Sequence, residues 1–322
     1  MSANVTDICP TGALTPREFR FESRVWNLES TESVCNGCDV GCNLFIGHRS
    51  GQVFRYRPRV NPEVNDHWLC DYGRFSYEQY ETDRVVVPKV RTEDDYLAIS
   101  TWSEALDSLE KGFTDAKNVA IIASAQMTNE EAWMARTLST KLNAKIGVMV
   151  DPIGPIKMKS RTEWIVGDQA GPNFRGVQAI VGNASIEELM TNGADGVDVL
   201  YILDARFSDR TKDPAVVANL RKAKFLVVHS WEADHPLTEV ADVLIPGATL
   251  PEKEGTFTNL QGRVQRIHQA YPPKGQAVTD LEALRRVGSR LFPKESSFST
   301  ADAHDVFATL RAETPALAEV SA

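Results

Sequence analysis

The 322-residue sequence has no apolar run close to the ~20 residues that a membrane-spanning helix requires. It has no basic stripe, and its formal net charge of −9 argues against a nucleic-acid-binding surface. The first residues include neither the basic nor the apolar segment of an export signal. We therefore expect a soluble cytoplasmic protein that reaches a membrane only through partner subunits.

Cysteine is scarce, with five in the chain and none after position 70. Four of them are spaced C-x2-C-x3-C-x27-C, at Cys35, Cys38, Cys42 and Cys70. Two disulfides would not suit a cytoplasmic chain and would leave the fifth cysteine over. Four thiolates in this arrangement can hold one metal centre, either a [4Fe-4S] cluster or zinc. Structural zinc sites usually pair two C-x2-C units, so the spacing favours the cluster, with zinc as the alternative.

The fifth cysteine stands in an isolated Cys9-Pro10 pair. In two-cluster ferredoxins, a Cys-Pro is the last member of a C-x2-C-x2-C…C-P ligand set. The first three members of such a set are missing from this sequence. Cys9 is therefore either a solitary structural thiol or a ligand whose three partners come from another segment or another polypeptide.

Hydrophobic patterning predicts the fold class α/β, with a small β-rich module followed by a doubly wound, mostly parallel α/β domain. The module covers residues 31–83 and contains a hairpin signal at Arg49-Ser-Gly51. The α/β domain covers residues 84–295, and a C-terminal helix and tail cover 296–322. Strands are expected at 119–124, 146–150, 197–203, 225–229 and 243–245, a hairpin at 256–267, and helices at 101–113, 129–142, from about 214, 279–291 and 301–310.

Several strings resemble the large iron–sulfur subunit of NADH-quinone oxidoreductase, the respiratory complex I. They are the Asn-Val-Thr-Asp-Ile-Cys-Pro-Thr-Gly-Ala-Leu of residues 4–14, the Phe-Arg-Phe-Glu-Ser-Arg-Val-Trp of 19–26, and the cysteine motif ending Trp-Leu-Cys-Asp-Tyr-Gly-Arg-Phe at 68–75. The Glu-Lys-Glu-Gly-Thr-Phe-Thr-Asn of 252–259 and Gly-Arg-Val-Gln of 262–265 resemble the wider molybdopterin-oxidoreductase superfamily. The resemblance covers about residues 4–290.

This resemblance implies that Cys35, Cys38, Cys42 and Cys70 bind a [4Fe-4S] cluster that lies off the main electron path. Cys9 would be the last ligand of a second [4Fe-4S] cluster, on the main path. Its three partner cysteines would belong to a ferredoxin-like [2Fe-2S]/[4Fe-4S] region or chain, of which residues 1–30 are a remnant. The other expected partners are further subunits of the complex I peripheral arm.

No molybdopterin is expected, although the superfamily binds one between two such α/β domains. This chain has only one such domain, no cysteine after position 70, and Tyr72 where the superfamily commonly has a lysine. His229 and His235 lie at the sheet edge where α/β sites form, but core or capping roles are expected for them. No catalytic residue is therefore predicted, and the isolated chain is not expected to be catalytic by itself.

The predicted function is an electron-transfer or scaffold subunit of a complex-I-like NADH:quinone oxidoreductase, peripheral to the cytoplasmic face of the membrane. The first alternative is a truncated, formate-dehydrogenase-like molybdopterin subunit. The second is a structural zinc protein with an α/β interaction domain.

Overall fold

The computed structural model describes residues 2–81, 83–149, 152–159, 164–169, 171–182, 184, 186–203, 209–299 and 303–313. The strands are β1 (Glu29–Val34), β2 (Asn43–Arg49), β3 (Gln52–Pro58), β4 (Lys89–Arg91), β5 (Leu97–Ile99), β6 (Val119–Ser124), β7 (Lys145–Met149), β8 (Pro152–Lys159), β9 (Trp164–Gln169), β10 (Val199–Ile202), β11 (Phe225–Ser230), β12 (Val243–Pro246), β13 (Gly255–Thr258) and β14 (Val264–Ile267). The helices are α1 (Asn4–Ile8), α2 (Asp71–Phe75), α3 (Trp102–Phe113), α4 (Asn129–Leu142), α5 (Phe174–Val181), α6 (Glu187–Thr191), α7 (Pro214–Leu220), α8 (Pro236–Val240), α9 (Asp280–Leu291) and α10 (Ala303–Glu313). Among these helices, none is long and apolar enough to cross a membrane.

The N-terminal module is a three-stranded antiparallel sheet in the order β1-β2-β3. The predicted hairpin is confirmed: Ser50 and Gly51 both have positive φ, as a tight turn between β2 and β3 requires. Leu44 and Ile46 of β2 are fully buried and form the inner face of the sheet. Strand β1 was not predicted, because its first four residues are polar and at most half-buried.

The second sheet has seven strands in the order β5-β4-β12-β11-β10-β6-β7. Strands β12, β11, β10, β6 and β7 run parallel, whereas β4 and β5 pair antiparallel at one edge. All six residues of β6 are buried, and they alternate between two cores. Ile121 faces one core and Ile122 the other, as expected for a sheet covered on both faces. The predicted α/β fold class is confirmed.

Capping residues explain where the predicted long helices begin. Thr101 and Thr128 each form a reciprocal capping box, with the glutamate three residues later, before α3 and α4. Helix α10 packs against α4 through the buried side chains of Val306 and Leu310. Residue 150 of a predicted strand and residues 314–322 of the predicted tail lie outside the described residues.

The β13–β14 hairpin (residues 255–267) connects the two parts of the chain. Its strands pair antiparallel, as the sequence predicts. Strand β13 packs against α4 of the α/β domain, and β14 packs against β1 of the module. Arg84, just after the module, forms a buried bidentate ion pair with Glu252, just before the hairpin, at 2.6 and 2.8 Å. The two parts therefore share one continuous interface.

Candidate metal centre

The four motif cysteines come from two segments of the module. Cys35 follows β1, and Cys38 and Cys42 lie in the turn that leads to β2; residues 35–42 are called the cysteine loop here. The backbone N–H of Cys35 donates to the carbonyl of Cys42 at 2.8 Å and closes this loop. Cys70 caps the start of α2 and is half-buried, whereas the other three are buried. All four are free thiols.

The segment that brings Cys70 back to the loop is fixed by a buried asparagine. The side-chain oxygen of Asn65 accepts from the backbone N–H of Asn43 at 2.9 Å, where β2 begins. Its amide nitrogen donates to the carbonyl of Trp68 at 3.0 Å, two residues before Cys70. One side chain thus links the first three cysteines to the fourth.

Glycine makes room for the sulfur atoms where α2 meets the cysteine loop. A Cβ atom added at Gly73 would lie 2.6 Å from Cys35 Sγ and 3.5 Å from Cys70 Sγ. The backbone N–H groups of Gly37 and Gly73 donate to Cys35 Sγ and Cys70 Sγ, at 3.4 and 3.3 Å. Two sulfurs from distant parts of the sequence therefore approach the same bare turn of backbone.

The electrostatics of the site are those of a thiol set that requires a cation. Burial raises the pKa of Cys38 to about 12, and it raises the pKa values of Cys35 and Cys42 well above their usual range. The neighbouring thiols, Cys70 among them, raise these pKa values further. Thiolates at these positions would be stable only beside positive charge, so the donor set fits a metal centre. Among the described residues, no three His, Cys, Asp or Glu side chains come together closely enough to hold a single metal ion.

The cysteine loop is held from outside by the β13–β14 hairpin, some 220 residues later in the chain. The carbonyl of Asp39 accepts from the backbone N–H of Leu260 at 2.8 Å. The carbonyl of Val40 accepts from the Asn259 side chain at 3.2 Å. The carbonyl of Gly41 accepts from the Gln265 side chain at 2.9 Å. Three successive loop carbonyls are therefore fixed by groups that sequence reasoning did not assign to the site.

Cys9 lies on the same module but apart from the four motif cysteines. Helix α1 is attached next to Cys70: the Asn4 side chain exchanges hydrogen bonds with the backbone of Leu69 at 2.8 and 3.0 Å, and Asp7 pairs with Arg74. Cys9 follows this helix, and its Sγ lies 3.6 Å from Thr11 Oγ1. That hydroxyl and nearby backbone N–H groups lower the pKa of Cys9 to about 7.

Large apolar side chains are exposed around Cys9. Phe21 is 91% exposed and Trp26 is 80% exposed, far more than isolated aromatic residues need to be. Three more exposed apolar residues of the same segment are Ile8, Leu14 and Val25. We call these five side chains the N-terminal apolar surface. Exposed apolar side chains gathered in one segment are typical of a surface that another polypeptide covers.

A small polar cavity lies between the cysteine loop and the α/β domain. Its volume is about 20 Å³, and Asn36, Tyr80, Gln126, Trp231 and Lys253 are among its lining residues. The Gln126 side chain donates to the Asn36 carbonyl at 3.1 Å, and the Asn36 side chain donates to the Tyr80 hydroxyl at 2.7 Å. A cavity of this size has room for about one water molecule.

The two histidines at the sheet edge have structural environments. Nδ1 of His229 lies 2.7 Å from Asp280, which also pairs with the buried Lys253 at 2.5 Å. His235 caps α8 by accepting the backbone N–H of Leu237 at 3.2 Å. The core and capping roles predicted for them are consistent with these contacts.

Two parts of the chain match known protein families. Residues 28–78 match the NADH-ubiquinone oxidoreductase NDSU1/NuoG-like 4Fe-4S domain, and residues 175–290 match the molybdopterin oxidoreductase family. The first match covers the cysteine loop and Cys70, and the second covers the β13–β14 hairpin.

Curated relatives belong to the NADH oxidoreductases. NADH-quinone oxidoreductase subunit 3 of Thermus thermophilus is 41% identical over 143 residues, which are 44% of this chain and 18% of the relative. An NADH-quinone oxidoreductase subunit of Rickettsia felis is 37% identical over 146 residues, covering 45% of this chain and 22% of the relative. The mitochondrial NADH-ubiquinone oxidoreductase 78 kDa subunit of Candida albicans is 32% identical over 411 aligned positions, covering 91% of this chain and 57% of the relative.

The chain spans between 18% and 57% of the length of these three relatives. The chain is therefore a NuoG-like relative of these NADH-quinone oxidoreductase subunits, in which a NuoG-like 4Fe-4S domain is joined to a domain of the molybdopterin-oxidoreductase family.

Proposed function

We propose that the chain is an iron–sulfur electron-transfer or scaffold subunit in the peripheral arm of a complex-I-like NADH:quinone oxidoreductase, at the cytoplasmic face of the membrane. One observation carries this proposal. Four thiols from two segments meet inside the part of the chain, residues 28–78, that matches the NuoG-like 4Fe-4S domain. The partners would be the other subunits of that arm.

Within this function, Cys35, Cys38, Cys42 and Cys70 would hold one [4Fe-4S] cluster. Such a cluster supplies one-electron redox chemistry when bound and needs no acid, base or nucleophile from the protein. The protein contributes burial of three thiols and backbone N–H groups directed at the sulfurs of Cys35 and Cys70. Without a metal, the raised pKa values of the buried thiols would keep them protonated.

Cys9 would be one ligand of a second [4Fe-4S] cluster, completed by three cysteines of a ferredoxin-like region or chain. Its lowered pKa favours the thiolate near neutral pH, and the N-terminal apolar surface beside it offers a covered interface to such a partner. Adding this partner should raise the iron content by four per complex in the parent chain. It should not do so in a Cys9→Ser variant.

The α/β domain would act as a scaffold without molybdopterin. Cofactor sites usually enclose about 300–1,000 Å³. The cavity between the cysteine loop and the α/β domain has only about 20 Å³. Tyr72, in place of the superfamily's common lysine, and the lack of cysteine after position 70 agree with this proposal.

Metal analysis after anaerobic purification tests the proposal against its two rivals. We expect four iron and four sulfide per chain, with neither zinc nor molybdenum. Stoichiometric zinc without sulfide would establish the zinc protein instead, and stoichiometric molybdenum would establish the molybdopterin subunit. Cys38→Ser should remove the cluster absorbance, whereas Cys9→Ser, the matched control, should retain it.

A further inference from the structure

The hydrogen bonds between the β13–β14 hairpin and the cysteine loop act on individual peptide units. In a trans peptide, the C=O and the following N–H point in opposite directions. The carbonyl of Asp39, held by Leu260, shares its peptide with the N–H of Val40, which donates to Cys38 Sγ. Holding the oxygen outward therefore directs the N–H inward, at the sulfur.

The same arrangement recurs one ligand later, with a side chain as the outer partner. Gln265 donates to the carbonyl of Gly41 at 2.9 Å. That carbonyl shares its peptide with the N–H of Cys42, which hydrogen-bonds to the Cys42 sulfur. Gly41 has a φ of +70°, and a Cβ atom there would lie 2.5 Å from Gln265 Oε1, so the amide sits directly against the loop.

The hairpin is rigid enough to impose these orientations. Asn259 Oδ1 accepts the backbone N–H groups of Gln261 and Arg263, both at 3.0 Å, which leaves its amide nitrogen directed at the loop. At the other end, the N–H and hydroxyl of Thr256 both donate to the buried Glu130 of α4, at 2.9 and 2.8 Å. The hairpin is thus fixed in the α/β domain and reaches the cysteine loop from there.

We propose that Gln265 is a positioning residue for the [4Fe-4S] cluster: through the peptide between Gly41 and Cys42 it directs an N–H at a ligand sulfur and raises the reduction potential. This inference rests on the proposed function, since it presumes that the four motif cysteines hold a cluster. Hydrogen bonds to the sulfurs stabilise the reduced, more negative form of a cluster. The α/β domain would then contribute to the redox chemistry of a cluster to which it supplies no ligand.

The test compares redox titrations of full-length, anaerobically loaded Gln265→Met and Gln261→Met. Methionine keeps the length of glutamine but cannot donate, and Gln261 has an exposed side chain on the same hairpin. At a fixed applied potential, Gln265→Met should have an about tenfold lower ratio of reduced to oxidised cluster, which corresponds to about 59 mV for one electron. Gln261→Met should titrate like the parent protein. A parental potential in loaded Gln265→Met would overturn the inference.

Gln265→Glu decides the matter if the methionine variant does not fold. Its protonated carboxyl can still donate to the Gly41 carbonyl, whereas its carboxylate cannot. The potential should therefore approach the parental value at low pH and fall at high pH, beyond any change in Gln261→Glu. Identical pH profiles in these two variants would refute the role of Gln265. Absence of iron and sulfide from the parent chain would refute the proposed function instead, so the two failures are distinguishable.

Discussion

Gly73 gives the sharpest test of how the metal centre is packed. A Cβ atom at this position would lie 2.6 Å from Cys35 Sγ. That distance is about 1 Å shorter than the usual 3.5–4.0 Å of a non-bonded contact. Overpacking of this kind costs about 1–3 kcal/mol, whereas exchanging glycine for alanine in a helix stabilises it by about 0.5–1 kcal/mol. The sign of the effect therefore depends on whether Cys35 Sγ can move.

A bound cluster would fix the Cys35 sulfur, and its removal would free the side chain. We expect Gly73→Ala to lower the free energy of unfolding of the loaded protein by about 1–2 kcal/mol. In the metal-free protein the same change should be neutral or slightly stabilising, because the thiol can rotate away. Urea unfolding of both forms, with iron and sulfide determined in parallel, measures the difference.

Gly37→Ala is the matched control within the same site. Its added Cβ would lie 3.2 Å from the ring of Tyr72, an exposed side chain that can move aside. Its effect should be small in both forms. The reasoning is refuted if loaded Gly73→Ala retains full iron and sulfide and unfolds at the same urea concentration as the parent protein.

Two further predictions concern buried charges that support the hairpin and the interface. Burial raises the pKa of Glu130 from 4.5 to about 7, so the folded state binds a proton that the unfolded state releases earlier. The free energy of unfolding should fall by up to about 3 kcal/mol between pH 4.5 and 7, and unfolding curves of Glu130→Gln should lack this component. Arg84→Met leaves Glu252 buried without its partner and should lower that free energy by about 3–5 kcal/mol. Arg84→Met/Glu252→Gln should recover part of the loss in urea denaturation, and full additivity would contradict the pairing.

Local signals were sufficient for most of the regular structure. The capping threonines Thr101 and Thr128 fix where α3 and α4 begin, and the fully apolar β6 is recognisable as a strand buried on both faces. Strands β4 and β5 were missed because they are short, only half-buried, and paired at an edge with a partner about 150 residues away. Their place in the sheet depends on that pairing rather than on any local pattern.

The sequence by itself determined the four candidate ligands, because the chemistry of thiol ligation needs those residues at that spacing whatever surrounds them. It also singled out Cys9 and the α/β class. Only the tertiary structure decided what holds the cysteine loop in place. Asn259 and Gln265 are more than 200 residues from the loop, and amide side chains carry no ligand signature. Their role follows from hydrogen-bond direction, which exists only once the hairpin is packed against the module.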